Sequence, residues 1–156
     1  MLFRIWDSIK DKMLYQEGLE IFAIKDNSYW KIKVGLDNVE LIETNQNCAK
    51  VMFNTFREEF RHKDIYEYDV LRRDWYSFKD QLVLESQYGI VYYSNGWKIK
   101  MTNGLEFNLT HEESGREYEV RSFVVGNYFE GYKDSSSYPT KIVKWDYSVA
   151  SLLANI

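Results

Sequence analysis

Glu67 and Asp69 are the two acidic residues whose spacing could support catalysis or hold a cation. They lie two positions apart in residues 65–72, where side-chain type alternates with the period of a strand. We therefore predict a central strand with both carboxylates on its outward face and Tyr66, Tyr68 and Val70 on its inward face. Paired carboxylates can bind a divalent cation or act as acid and base. A solvated strand face accounts for the same pattern, and we favour it over a carboxylate site.

Other residue types with catalytic or metal-binding chemistry are few. The chain has two histidines, His62 and His111, each in a charged segment, and one cysteine, Cys48, beside apolar residues typical of a strand. This is a poor ligand set for zinc, and a buried thiol is more common than a reactive one. Neither a glycine-rich phosphate loop nor a Gly-x-Ser-x-Gly motif occurs. We predict no catalytic residue, no metal site and no cofactor.

The candidate binding residues lie in a predicted hairpin. Two short apolar runs flank Ser94-Asn95-Gly96, and Asn-Gly tolerates the positive φ angles that a tight turn requires. The candidate surface consists of Tyr92, Tyr93, Trp97, Lys98 and Lys100. Alternating aromatic and cationic side chains of this kind could stack single-stranded nucleic acid on a small barrel. The alternative is that Trp97 and one tyrosine fill the core while both lysines point into water.

Composition limits the function classes. Of the 156 residues, 45% are hydrophobic, 28% charged and 17% aromatic, and the net charge is -4. The length suits one domain, or two closely packed subdomains at about 1–54 and 55–156. The acidic net charge disfavours non-specific binding of nucleic acid. A single cysteine, no secretion signal and no long apolar run predict a cytoplasmic protein without a membrane partner.

The order of apolar and turn-forming residues predicts a mainly β chain, a β-rich α+β fold of many short antiparallel strands. We expect a small barrel-like domain with an N-terminal hairpin region, because closure limits exposed strand edges. Thr55 and Glu58 match a capping box that could start a short helix, although residues 54–64 fit a loop equally well. Apolar residues with helical spacing, at positions 149, 152, 153 and 156, predict a short C-terminal helix.

Three phrases of the sequence resemble the YopX family of phage and prophage proteins. Phe3-Arg4-Ile5-Trp6-Asp7, followed by Lys10, Lys12 and Met13, is similar to the family opening K-F-R-x-W-D and the basic hairpin after it. The segment from Thr55 to Leu71 resembles Y-T-G-L-K-D-K-N-G-K-E-I-Y-E-G-D-I-V in its length and its end. Val124 to Glu130 is similar to V-I-G-N-I-Y-E-N.

This resemblance implies a single YopX-like domain with a β-rich fold, a phage or prophage origin, and action inside a bacterial host cell. It implies no activity, cofactor or catalytic residue. Phe56, His62 and Tyr68 stand where the family phrase has glycine, so we expect a reshaped loop before the central strand. The chain also extends beyond the last phrase, from Gly131 to Ile156.

Three hypotheses about function follow. The first is a non-enzymatic interaction module that binds a protein partner, either a second copy of itself or a host factor. The second is a small β-barrel that binds single-stranded nucleic acid through the hairpin from Tyr92 to Lys100. The third, an enzyme that uses Glu67 and Asp69, is the weakest. Aromatic residues beyond those that a core can bury favour the first, because Tyr, Trp and Phe are enriched at protein interfaces.

Overall fold

The computed structural model describes residues 2–109, 115 and 117–132. In that part of the chain the helices and strands assigned are all β-strands. The strands are β1 (Phe3–Asp7), β2 (Lys12–Tyr15), β3 (Glu20–Lys25), β4 (Ser28–Val34), β5 (Val39–Asn45), β6 (Ala49–Glu58), β7 (Asp64–Tyr66), β8 (Asp69–Ser77), β9 (Leu82–Tyr93), β10 (Trp97–Met101), β11 (Glu106–Asn108), β12 (Tyr118–Asn127) and β13 (Gly131–Tyr132). The prediction of a mainly β, antiparallel fold is confirmed. In these residues no helix is long and apolar enough to cross a membrane.

The chain forms two compact units, one that ends at Asn54 and one that begins at Thr55. In the first unit, β1 pairs with β2 in the predicted N-terminal hairpin and with β6 on its other side. β3, β4 and β5 form a separate antiparallel sheet in that order. A core of Ile5, Tyr29, Cys48 and Ala49 forms between these strands. Burial raises the pKa of the Cys48 thiol, as expected of an inert buried cysteine.

Asp7 is a buried carboxylate that fixes the end of β1. Its Oδ2 accepts a hydrogen bond of 2.7 Å from the Tyr29 hydroxyl, and its Oδ1 accepts from the N–H groups of Ile9 at 3.0 Å and Lys10 at 2.9 Å. Burial by itself raises the pKa of this carboxyl, but the hydrogen bonds from Lys10, Tyr29 and Ile9 outweigh it and lower the pKa below its usual value. Asp7 therefore stabilises the first unit as an anion.

The second unit contains a six-stranded antiparallel sheet in the order β11-β10-β9-β8-β12-β13, which curls into a half-barrel. β8 lies inside this sheet, between β9 and β12, and its side chains alternate between two cores. On one face Val70 joins Ile90, Phe123 and Val125, and on the other Leu71 joins Ile65, Val91, Ile99 and Met101. A strand that is apolar on both faces is buried on both faces.

β8 also buries an ion pair. Arg72 Nε lies 2.9 Å from Asp74 Oδ1, and both side chains are almost fully buried. The Ser86 hydroxyl donates to the same Asp74 oxygen at 2.7 Å, and the Arg72 guanidinium lies 4.8 Å from the centre of the Phe123 ring. These contacts offset the high cost of taking both charges out of water.

The single central strand predicted for residues 65–72 is wrong. β7 ends at Tyr66, Glu67 and Tyr68 form a turn, and β8 begins at Asp69. Asp69 is buried rather than outward, because its Oδ2 accepts a hydrogen bond of 2.8 Å from the Tyr66 N–H across this turn. An aspartate that closes a turn in this way stabilises the backbone locally. Two tyrosines alternate with Glu67 and Asp69 as inward and outward residues of a strand would, so the pattern does not indicate the turn.

The short helix considered at Thr55 is also wrong. Residues 55–58 continue β6, and the Thr55 hydroxyl donates to the Ile65 carbonyl at 2.7 Å, in the neighbouring strand β7, instead of capping a helix. A long-range hydrogen bond here replaces the local one that the capping box predicts. The predicted C-terminal helix lies outside the described residues. The assignment of one YopX-like domain stays a prediction.

Phe56, His62 and Tyr68, which replace glycines of the family phrase, have φ angles of +58°, +65° and +63°. The backbone at all three positions therefore lies in the left-handed region that glycine favours, although each of these residues has a side chain. The expectation of a reshaped loop before the central strand stays a prediction. A residue other than glycine in this region costs about 1–2 kcal/mol.

The buried Asp7 gives a prediction about acid stability. Because its pKa is lowered in the folded state, its contribution is present above the unfolded pKa of about 3.9 and is lost as the pH falls toward the folded value. Asp7→Asn should lower the free energy of unfolding at pH 7 by about 1–3 kcal/mol and should flatten its dependence on pH below 4. Urea unfolding at pH 7 and pH 3 measures both. Asp11→Asn, at an exposed turn, is the control and should behave as wild type. If the two variants lose the same free energy of unfolding, Asp7 is not a stabilising buried anion.

The left-handed backbone gives a second prediction. His62→Gly should leave stability unchanged or raise it by up to about 1 kcal/mol, because it relieves left-handed strain at an exposed residue. Lys63→Gly, one position along and without a positive φ, should lower stability by about 0.5–1 kcal/mol. Thermal unfolding of the two variants beside wild type tests the difference. If His62→Gly loses more stability than Lys63→Gly, the backbone at His62 is not strained.

Candidate protein-interaction surface

The hairpin of β9 and β10 divides the predicted binding residues between two faces. Tyr93 lies opposite Trp97, and Tyr92 lies opposite Lys98, so the two pairs project from opposite sides of the sheet. Lys100 shares the side of Lys98. The structure therefore brings Tyr92 and Lys98 together but separates them from Trp97. A single stripe of alternating aromatic and cationic side chains does not form.

These side chains also have partners within the chain. The Tyr92 hydroxyl donates a hydrogen bond to the Glu106 carboxylate, and Lys98 Nζ lies 3.3 Å from the other oxygen of the same group. Trp97 is half-buried against the core cluster that contains Ile99, and its ring meets the edge of the Tyr93 ring at a centroid distance of 5.2 Å. Tyr93, at 60% exposed, is the most accessible of the three aromatic residues. The role of the hairpin in nucleic-acid binding stays a prediction.

Residues with catalytic or metal-binding chemistry are dispersed in the part of the chain that the structure describes. Within it, no three His, Cys, Asp or Glu side chains form a group that could hold a metal ion. Asp69 is engaged by the Tyr66 N–H and by the Asn127 amide, which donates at 3.2 Å. It therefore does not share an outward face with Glu67. His62 pairs with Glu58 at 3.1 Å on the surface, and His111 lies outside the described residues.

A different feature of the first unit has the properties of a binding surface, and it is one face of the sheet β3-β4-β5. Strand register places six apolar residues on this face, hereafter the apolar face: Ile21, Trp30, Ile32, Val34, Val39 and Leu41. Ile32 lies between Ile21 and Leu41 in adjacent strands, and Val34 lies opposite Val39. Ile21, Val39 and Leu41 are 38%, 69% and 58% exposed, although they are large aliphatic residues.

The opposite face of the same sheet carries the charges and the core contacts. Glu20 pairs with Lys31 at 3.0 Å, and Glu43 pairs with Lys10 at 2.8 Å. Hydrogen bonding to Lys10 lowers the pKa of the Glu43 carboxyl below its usual value. Tyr29 and Phe22 from this face pack in the core of the first unit. The sheet thus covers the part of its mixed face where Phe22 and Tyr29 lie, while Ile21, Val39 and Leu41 on its apolar face are exposed, the reverse of the usual arrangement.

The size of the apolar face can be derived from sheet geometry. Three strands about 4.8 Å apart and about 20 Å long present roughly 300 Å² of flat area. Contiguous apolar patches of about 300–600 Å² are the largest on typical soluble monomers and often mark binding sites. A specific protein interface covers about 800 Å² on each partner. The apolar face therefore matches the centre of an interface whose rim comes from neighbouring polar residues.

Sequence analysis did not identify this surface, although a signal was present. In β3 both alternating sets contain apolar residues, with Ile21 in one set and Phe22 and Ile24 in the other. Such a strand must either be buried on both sides or expose an apolar side. Only the strand register shows which set faces the core and which remains exposed.

This chain is similar in structure to a solved protein, although its sequence matches no known family. No protein-family model matches the sequence, and no curated protein is similar enough to match it. The chain is similar to the crystal structure of protein yopX from Bacillus subtilis, with a TM-score of 0.48 and 16% sequence identity. The similarity covers 83% of this chain and 93% of that chain.

The two aromatic residues of the hairpin should differ in their effect on stability. Trp97→Ala should lower the free energy of unfolding by about 2–4 kcal/mol, because the indole packs against buried core residues. Tyr93→Ala, at an exposed site on the same face, should cost less than about 1 kcal/mol. Urea unfolding monitored by circular dichroism measures both. If the two variants lose the same stability, Trp97 is a surface residue and is available for stacking.

Proposed function

We propose that this chain is a non-enzymatic protein-interaction module and that it binds its partner through the apolar face. The observation that supports the proposal is the exposure of Ile21, Val39 and Leu41 on a sheet face that carries no charged residue among its central positions. Contiguous exposed apolar surface is unfavourable in water and is retained where another molecule covers it.

The magnitudes are consistent with this role. Covering about 300 Å² on each of two partners removes roughly 600 Å² from water, which contributes on the order of 15 kcal/mol. Association costs about 4–15 kcal/mol in lost translational and rotational freedom, before side chains are ordered. The apolar face is thus large enough to support binding but leaves little surplus, so polar contacts at its rim must contribute to specificity.

The chemistry of the face also restricts the partner. An uncharged aliphatic surface with one tryptophan offers no attraction for phosphate groups, and burial of a partner's charge against it is costly. We infer a partner protein that presents an apolar sheet or helix face, either a second copy of this chain or a host factor. A phage or prophage origin and a cytoplasmic site of action are part of the proposal and rest on the sequence phrases.

Nucleic-acid binding remains a second hypothesis from the sequence. In the structure Lys98 pairs with Glu106, and Tyr92 donates to the same carboxylate, which reduces the positive potential of the hairpin. Enzymatic use of Glu67 and Asp69 is not part of the proposal.

The test places a charge in the middle of the apolar face. Leu41→Glu should weaken partner binding at least tenfold, because a carboxylate would be buried in the interface. Ile9→Glu is the matched control: it makes the same kind of change at an exposed aliphatic residue of the β1–β2 turn, where Lys10 pairs with Glu43 on the face of the sheet opposite the apolar face. Both variants should fold as wild type does, since both sites are exposed, and circular dichroism confirms this.

Two measurements read out the result. Analytical ultracentrifugation of the purified proteins detects self-association, and tagged pull-down from bacterial lysate, with and without nuclease, detects other partners. The proposal predicts a complex that survives nuclease, is lost in Leu41→Glu and is kept in Ile9→Glu. A complex that Leu41→Glu leaves intact, or the absence of any complex, would overturn it. A complex that disappears with nuclease would favour the hairpin hypothesis.

A further inference from the structure

Two asparagines of the chain are followed by glycine, and both lie in hairpin turns of the second unit. Asn95-Gly96 lies between β9 and β10, and Asn103-Gly104 lies between β10 and β11. Every other asparagine in the sequence precedes a residue that has a side chain. The difference matters chemically, because the backbone nitrogen after an asparagine can attack the side-chain amide, and glycine, which has no Cβ, hinders that attack least.

The reaction that such a pair allows is deamidation. The backbone nitrogen of the glycine loses its proton and attacks the asparagine Cγ, a new C–N bond closes a five-membered succinimide ring, and the side-chain nitrogen leaves as ammonia. Water then adds to one of the two ring carbonyls and breaks the C–N bond there. Opening at the side-chain carbonyl gives aspartate, and opening at the backbone carbonyl gives isoaspartate. One water is consumed and one ammonia is released, without an oxidant or a reductant.

Exposure and crowding do not distinguish the two sites. The side chains of Asn95 and Asn103 are both exposed to water. A Cβ added to Gly96 or to Gly104 would meet no atom of the described residues within 4 Å, so neither turn is packed against another element. From the sequence and from exposure, the two pairs should therefore react at the same rate.

Hydrogen bonds do distinguish them. The Gly104 N–H donates to the Met101 carbonyl at 2.9 Å, and the Leu105 N–H donates to Asn103 Oδ1 at 3.0 Å. The first bond holds the proton that the attacking nitrogen must lose, and the second restrains the side-chain amide that this nitrogen must reach. Because a hydrogen bond must break before the ring can close, the fold slows deamidation at Asn103.

The turn at Asn95 has neither restraint. The Gly96 carbonyl accepts a hydrogen bond of 2.9 Å from the Ser94 N–H. In the part of the chain that the structure describes, however, neither the Gly96 N–H nor the Asn95 side-chain amide is hydrogen-bonded. The nitrogen of Gly96 can therefore approach the Asn95 Cγ without breaking a hydrogen bond.

We propose that Asn95 is a site of spontaneous deamidation and that the fold protects Asn103. The product has a carboxylate in the turn of the hairpin, which makes the net charge of -4 more negative by one unit. This turn joins the two strands that carry Tyr92 and Lys98, so the modified hairpin attracts phosphate groups less than the original one. The proposal is independent of the apolar face and of protein binding.

The test follows the full chain during incubation at mildly alkaline pH, where the backbone nitrogen loses its proton more readily. Trypsin cleaves after Lys98 and Lys100, so the two asparagines fall on separate peptides, and mass spectrometry measures the deamidated fraction of each. In the folded chain the initial rate at Asn95 should be at least fivefold the rate at Asn103. In guanidinium chloride, which unfolds the chain and removes the protecting hydrogen bonds, the two rates should agree within twofold.

A matched pair of variants gives a second measurement. Asn95→Gln should lose most of the ammonia that the folded wild type releases, because attack on glutamine must close a six-membered ring, which forms more slowly. Asn103→Gln should release as much ammonia as wild type, and circular dichroism checks that both variants fold. Equal rates at the two asparagines of the folded wild type, a faster rate at Asn103, or no reaction at Asn95 while the unfolded chain reacts would overturn the proposal.

Discussion

Coverage of apolar sheet faces is the constraint on which this structure depends. Each strand sends alternate side chains to opposite faces, and an apolar face is stable in water only when other residues or another molecule cover it. β8 meets this condition on both sides, with Val70 in one core and Leu71 in the other. The position of β8 between β9 and β12 follows from this requirement.

Burial of β8 on both faces has a cost, because the strand also carries Arg72 and Asp74. The two groups pair with each other, and Ser86 and the Phe123 ring supply further contacts. Losing one member would leave the other charged and buried, which is far more costly than losing an exposed ion pair. Asp7 in the first unit and Asp69 at the start of β8 follow the same rule: each buried carboxylate accepts hydrogen bonds from nearby backbone N–H groups.

The sheet β3-β4-β5 meets the condition on one side only. Its mixed face contributes Phe22 and Tyr29 to a core, and its apolar face has exposed Val39 and Leu41. The proposed partner protein would cover this face.

The sequence by itself determined the strand content, the hairpins and the absence of a motif for known catalytic chemistry. These depend on local properties: alternation with a period of two, Asn-Gly turns, and the residue types present. Tertiary structure decided which of two apolar sets faces a core, as in β3, because register and pairing partners are set by residues distant in the sequence. It also decided that Asp69 closes a turn and that Thr55 bonds across to β7, where alternation and a capping box predicted a strand face and a helix. The Thr55 hydroxyl bonds to the carbonyl of a residue in the neighbouring strand, which no local pattern encodes. The Asp69 bond is local, but it competes with a strand-like alternation of the same residues, and the sequence does not show which of the two prevails.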